Sequence, residues 1–537
     1  MTENSEPLVL GYQGTLAPDP DHSTMATAGT GGTDCIHQFS LRPWLESALR
    51  ELDLRLSAKS GDGGGERIDL GALIDALNER LTGMLTQVLT VCPNLTEDQV
   101  AHQFPVLSRL LKGAVAEWVE AIAVFHHRLH SDRARLAAWL GYMKLPSLAS
   151  VTPASSDQHD GAHTVMRLLF RDGRCIYYKP RPVTGEWLWN RLVDAVNAHS
   201  SLQLASAQAF AGSDGRYGWV ASLLPHERLH DWEKGSSLAS RYWQAAGATL
   251  CLAEHARMTD LHMANVIATG CGPALFDAES LGTPPVVSAT LGKRQEKPSF
   301  TAMIDDLLAT GLLPVQNSSA LPDTSGLFGK AAAVPQIKIP RWSTCSNGGP
   351  RLEMVTAALV EHGNAPPHAS PLEVLPLLVS GYREAAHALI RCRESLVAPG
   401  SAWRWALEHQ HDPRIILRDT LSYGILISRS LQPKQLQGAQ RREAILRGAL
   451  RDRSYPTFPQ AILRAEARSL LRLHIPRFVA RANSRTLVSN SGRALVRQFL
   501  SCSPAEAVLH KIGEPTPSRL SEIQIPALLT AVFGQLD

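Results

Sequence analysis

Three polar side chains between Thr259 and Leu281 (TDLHMANVIATGCGPALFDAESL) have types and spacing suited to one chemistry. Asp260 and Asn265 are five apart, the separation of the Asp and Asn in the protein-kinase catalytic loop H-R-D-L-x-x-x-N. Asp277 follows twelve residues later, after the β-like stretch Pro273–Phe276. Phosphoryl transfer asks for such a set. One carboxylate orients the attacking hydroxyl, while an amide oxygen and a second carboxylate hold Mg²⁺ against the phosphates. Asp-Phe-Gly is absent and Asp277-Ala-Glu279 stands in its place, which disfavours an ordinary protein kinase. The bland alternative is a helix-start Asp, a turn Asn and a strand-end acid meeting by accident.

A nucleotide phosphate also needs a cation, and Lys179 closes a predicted hairpin about eighty residues upstream. Its strands are Val165–Phe170 and Cys175–Tyr178, joined through Arg171-Asp-Gly-Arg174, where Asp-Gly suits a tight turn. In that reading Lys179 contacts ligand and not core. Neither a Walker A motif nor G-x-G-x-x-G is present, so the polar stretch Ser156–Val165 is the candidate cover for the phosphates.

Together these segments resemble the dehydratase domain of class II lanthipeptide synthetases, whose pattern is roughly TDLHxEN…DLET, YKPR and GDxHxxGxxV. The matching segments are TDLHMAN, LFDAES, YYKPR and SDQHDGAHTV. Further likenesses are FPVLSRLLKGAVAEWVEAIAVFHHRL, IPRW (339–342), the R-x5-T element in DPRIILRDTLSYGILI (412–427) and LHIPRF (473–478). The resemblance covers roughly residues 98 to 535 and implies a two-step reaction. ATP phosphorylates a Ser or Thr of a leader-containing precursor peptide, and phosphate elimination then leaves dehydroalanine or dehydrobutyrine. Carried over by position, Asp260, His262 and Asn265 form the catalytic-loop set, and Asn265, Asp277 and Glu279 hold Mg²⁺. Lys179 and Thr164 serve ATP, and Asp157, His159 and Thr164 match the loop that replaces a glycine-rich loop. Arg414 and Thr420 match the pair needed for elimination. The rival readings are a peptide kinase that leaves phosphate in place and a non-catalytic leader-binding pseudoenzyme.

Three departures bear on substrate engagement and elimination. Ser343-Thr-Cys-Ser-Asn-Gly-Gly349 replaces the usual run after Pro-x-Trp, Ala264 replaces an acid, and Ser156 and Ala162 replace glycines. Beyond Thr420 the chain carries one cysteine, Cys502, so the Cys2His zinc site of a cyclase half is not expected. A separate cyclase is then a candidate partner.

The elements expected to position these residues give an α+β fold with a kinase-like, bilobal core. A lead-in and helical N-terminal segment (1–97) precedes a helical layer (98–154), where Val106, Leu107, Leu110, Leu111, Val115, Trp118 and Ile122 recur at helical spacing. A β-rich nucleotide lobe (155–232) includes a strand in 216–224. The helical catalytic lobe (233–430) contains the helical pattern 241–255 and an irregular insertion, 282–350, and a C-terminal helical segment (431–537) follows. Gly14–Asp34 reads as a flexible lead-in and Ser60–Gly65 as a loop between helices. The arginines at 441, 442, 447, 451 and 453 read as a solvated helical face, and His226, His230 and His255 as structural. Net charge is +3, so no basic field for nucleic acid is expected. The absence of an ~18-residue apolar run and of a signal-like N-terminus argues for a cytoplasmic protein without a membrane span. Eight cysteines without a CxxC pair argue against a disulfide framework.

Overall fold

The computed structural model describes residues 39–57, 68–92, 95–154, 161, 163–223, 236–286, 300–315, 323–329, 337–344, 350–357, 366–452, 458–513 and 518–533. Gly14–Asp34, Ser60–Gly65, His226 and His230 lie outside them. The chain is α+β, with 54% of the described residues helical and the strands in small antiparallel sheets. It forms two compact units, each assembled from three stretches. The first comprises Met1–Pro180, Lys338–Thr356 and Arg418–Pro476, and the second Arg181–Ile337, Ala357–Leu417 and Arg477–Asp537.

The first unit opens with four helices: α1 (Arg42–Ser57), α2 (Gly71–Val91), α3 (Glu97–Gln103) and α4 (Pro105–Leu140). Thr96 and Gln99 cap α3 reciprocally, and Pro105 occupies the first turn of α4, where its missing N–H costs nothing. Gly141, in the left-handed region at φ 78°, ends α4. Strands β1 (Leu148–Pro153), β2 (Met166–Phe170) and β3 (Cys175–Lys179) make an antiparallel meander. The β2–β3 turn falls on Asp172-Gly173, as read, with Gly173 at φ 87°. Tyr178 fastens the meander to α4. Its ring meets Phe125 at 5.1 Å and its hydroxyl accepts from Arg128 Nη1 at 2.7 Å.

Later stretches of this unit supply α10 (Thr420–Ser430), α11 (Pro433–Leu436), α12 (Ala439–Ala449) and α13 (Gln460–Leu471). Tyr423, Leu426, Leu446, Leu450 and Leu470 form the core between them. The expected solvated arginine face needs one correction. Arg441, Arg447 and Arg451 are exposed, but Arg442 is buried and donates to Ser430 Oγ and to the carbonyls of Leu470 and Leu471. The buried guanidinium thus reaches the C-terminal end of α13, where helix carbonyls run out of partners within the helix.

The second unit contains α5 (Thr184–Asn197), the hairpin β4 (Ala209–Ala211) and β5 (Gly218–Ala221), and α6 (Ser237–His255). There follow the hairpin β6 (Val266–Thr269) and β7 (Gly272–Leu275), then α7 (Phe300–Ala309), α8 (Pro371–Val397) and α9 (Ala402–His409). Strands β10 (Arg414–Ile415), β11 (Phe478–Ala480), β12 (Leu487–Ser489) and β13 (Ala494–Val496) form one antiparallel sheet in that order, and α14 (Pro504–Gly513) and α15 (Ser518–Phe533) close the chain. Among its described residues, the stretch 282–350 contains regular elements. It holds α7 and the strand β8 (Ile337–Thr344), which pairs with β9 (Pro350–Ala357). The C-terminal stretch likewise adds β11–β13 to its helices.

Candidate functional site

The candidate site lies within the second unit and begins where α6 stops. Arg257 and Asp260 both take left-handed backbone, at φ 51° and 63°. Each such residue without a glycine's freedom costs on the order of 1 kcal/mol or more, so the surroundings must hold it. Leu261 and Met263 do so. Both are buried, and their amides donate to Thr310 O and Thr324 O at 2.9 Å. The residues between and beside these anchors, Asp260 and His262, are left partly exposed.

Asn265 ties the loop together. Its amide nitrogen donates to Asp260 O at 2.8 Å, and its backbone N–H donates to His262 O at 2.8 Å. Ala264 N donates to His262 Nδ1 at 3.2 Å and orients the ring, whose Nε2 stands 3.8 Å from Asp260 Oδ1. The β6–β7 hairpin then returns the chain, closing with Phe276 N on Asn265 O at 2.8 Å. This closure explains the twelve-residue spacing, because it delivers Asp277 beside Asn265. Gly185 lets α5 approach the next residue, since a Cβ there would lie 2.3 Å from Ala278 O.

Three guanidiniums converge on the two following acids. Arg181 donates through Nη2 to Asp277 Oδ1 at 2.5 Å and Glu186 Oε1 at 2.6 Å, and its Nε lies 3.2 Å from Glu279 Oε2. Arg414 Nη1 meets Glu279 Oε1 at 2.7 Å, and Arg477 Nη2 meets Glu279 Oε2 at 3.1 Å. Asp260 feels this cluster. Burial raises its proton affinity, Glu279 and Asp277 add to the rise, and His262 and Arg414 oppose it; the balance lies above the ordinary carboxylate range. A carboxylate so perturbed, on a strained loop among convergent charges, is suited to accepting a proton.

A family model described as a domain of unknown function, DUF4135, matches residues 104–481. The chain belongs to the DUF4135 family. The lacticin 481/lactococcin biosynthesis protein of Lactococcus lactis subsp. lactis is similar to it, at 19% identity over 426 residues, 75% of this chain and 44% of that protein. The chain thus spans less than half the length of that relative. Both matches support a lanthipeptide synthetase-related family, in line with the motifs.

Of the residues singled out in this DUF4135 chain, Asp260, His262, Asn265, Asp277, Glu279 and Arg414 come together in the second unit. Lys179, Thr164 and Thr420 belong to the first. Lys179, at the end of β3, is buried at 0% exposed, which departs from the bland alternative of an exposed strand-end lysine. Thr164 is half-buried just before β2, and Thr420 is an exposed first residue of α10. Asp157 and His159 lie outside the described residues.

As Mg²⁺ donors the residues fit unequally. The side-chain oxygen of Asn265 accepts no hydrogen bond among the described residues, whereas Asp277 Oδ1 already accepts from Arg181 Nη2 at 2.5 Å and from Glu279 N at 3.1 Å. Glu279 is engaged further, since both of its oxygens accept from guanidiniums. Among the described residues no group of three or more His, Cys, Asp or Glu is arranged to hold a metal. Sequence reasoning overlooked Arg181, Glu186 and Arg477. The signal for the two arginines was present, since Arg181 closes YYKPR and Arg477 sits in LHIPRF.

Proposed function

We propose that this chain dehydrates Ser and Thr residues of a leader-bearing precursor peptide, by ATP-dependent phosphorylation followed by phosphate elimination, on a kinase-like framework. The observation that carries the reading is the loop from Asp260 to Asn265, closed by the β6–β7 hairpin so that Asp277 stands beside it, with Arg414 locked against Glu279. The relative is by its name a lacticin 481/lactococcin biosynthesis protein, which supports a peptide of the lanthipeptide class as substrate.

In the first step Asp260 orients the substrate hydroxyl and takes its proton as the oxygen attacks the γ-phosphorus of ATP, with ADP leaving. Its raised proton affinity suits that role. Asn265 and Asp277 are the residues that would hold Mg²⁺, which when bound supplies charge neutralisation at the phosphates. Lys179 is assigned to the nucleotide phosphates, with Thr164 and the Asp157–His159 loop covering them. In the second step a base removes the α-proton, the electron pair forms the C=C bond, and the C–O bond breaks to release phosphate. Arg414 balances the departing charge with paired hydrogen bonds, and Thr420 is assigned to the same step.

Mass spectrometry of a precursor peptide co-expressed with the chain tests the reading. Loss of one water per modified site is expected, and Asp277→Asn abolishes both phosphorylation and water loss, because the metal loses a charged ligand. An unchanged peptide mass with the wild-type chain, or normal turnover by Asp277→Asn, would overturn it. Stable addition of phosphate alone would reduce the protein to a peptide kinase.

A further inference from the structure

Glu279 is a single carboxylate that serves three guanidiniums, and they are not equally matched elsewhere. Arg181 has Glu186, through two hydrogen bonds of 2.6 and 3.2 Å, and Asp277. Arg414 lies near enough to Asp260 to lower that residue's proton affinity. Arg477 shares Glu279 Oε2 with Arg181, and its other side-chain contact is neutral, Nη1 to Asn490 Oδ1 at 3.1 Å. Its charge is therefore the least compensated of the three, although its side chain is only 12% exposed. Such a charge in a shielded position attracts an anion able to accept several hydrogen bonds.

Arg477 is also rigidly mounted. Its carbonyl accepts from Asn490 N at 3.1 Å while its side chain grips the same residue, so backbone and guanidinium are fixed by one turn. It immediately precedes β11, which pairs with the β10 strand carrying Arg414. Arg181 links Glu279 to Asp277, while Arg414 and Arg477 reach Glu279 from β10 and from the residue before β11.

We infer that Arg477 and Arg414 form a two-guanidinium clamp for the phosphoryl dianion of the phosphorylated peptide, with Glu279 as the internal group that the phosphoryl displaces. The inference rests on the two-step reading above and adds what that reading needs, a means of retaining the intermediate between its steps. A phosphoryl group offers three oxygens to the two forks, where Glu279 offers two. Inorganic phosphate shares this chemistry as the product, and the nucleotide's phosphates are the competing source.

Isothermal titration with N-acetyl-phosphoserine amide, inorganic phosphate and ADP, with and without Mg²⁺, separates these sources. It compares wild type, Arg477→Ala, Arg477→Lys and the exposed control Arg493→Ala. Binding of phosphoserine and phosphate is expected to fall roughly tenfold or more in Arg477→Ala, since charge-assisted hydrogen bonds are lost. Lys restores part of it, ADP binding stays unchanged, and Arg493→Ala behaves as wild type. With the precursor peptide, Arg477→Ala should release phosphopeptide into solution. Circular dichroism and melting check the fold; if the Ala variant fails to fold, weaker phosphoserine binding by the Lys variant carries the decision. Wild-type binding by both variants overturns the clamp, as does a loss confined to ADP or no binding of phosphoserine or phosphate by the wild type. An intact clamp on a chain that never modifies the precursor would instead remove the dehydratase reading and leave the anion site standing.

Discussion

At Arg414 backbone and side chain converge on one neighbour. Its N–H donates to Glu279 O at 2.8 Å and its Nη1 to Glu279 Oε1 at 2.7 Å. The guanidinium is thus preorganised for an anion and needs little rearrangement to stabilise a leaving phosphate. Removing one such donor typically costs about 3–4 kcal/mol, roughly a hundred- to thousandfold in rate. Arg414→Ala is expected to leave phosphorylation running and to slow elimination by that factor, so that peptide heavier by phosphate accumulates. Thr420→Ala should give the same pattern, and equal loss of both steps in either variant would refute a role confined to elimination. Asp260, Asn265 and Asp277 were legible from spacing because a local hairpin sets their distances. The arginines around Glu279 were not, since Arg181 and Arg477 reach acids 96 and 198 residues away. Only the tertiary fold turns those separations into contacts, and the sole local trace is an Arg inside each of two quoted motifs.

The element that carries the Asp260 loop is α6, and its position is set by how closely it crosses α8. Gly247 and Gly381 make that crossing possible. A Cβ on Gly247 would lie 1.9 Å from Leu378 O, and one on Gly381 would lie 1.7 Å from Gln244 O. Both obstacles are backbone atoms, so no side-chain rotation relieves them, and the helices must separate. Gly381→Ala is expected to cost about 3 kcal/mol or more, at the upper end for overpacking. Urea titration measures this, and a change below about 1 kcal/mol would mean the crossing can relax. The long helices were legible because apolar residues repeat every three to four positions along them. The sheet of β10 to β13 was hidden, since strands of two or three residues are too short to show a period of two. Helix α7 was masked by the Pro, Gly and Ser around it, although Met303, Ile304, Leu307 and Leu308 keep a helical spacing.

The stability of the second unit in acid should hinge on one buried polar network. Glu254 of α6 accepts from Tyr382 Oη of α8 and from Lys511 Nζ of α14 at 2.9 Å, and Lys511 also meets Asp306 of α7 at 2.9 Å. Arg257, at the entrance to the Asp260 loop, holds Asp306 at 2.8 Å, so the network joins four helices to the candidate site. Burial by itself pushes the Glu254 carboxyl up. His255, Lys511 and the Tyr382 hydroxyl outweigh it and hold the group down at about 2, against 4.5 for an ordinary Glu. A folded-state value below the unfolded one gives stability that is fully present above about pH 4.5 and is lost as pH falls toward 2. The size is on the order of 3 kcal/mol. Lys511 is raised above its ordinary value, so its share is fully present below pH 10.5 and adds no slope in acid. Glu254→Gln keeps the shape and removes the titration. Its melting temperature should therefore lie well below that of wild type at pH 7, and the gap should close between about pH 4.5 and 2, as the wild type loses what the variant never had. Calorimetry across that range decides the matter: a gap that stays constant with pH would show that Glu254 contributes by packing and hydrogen bonding alone, with no charge linked to folding.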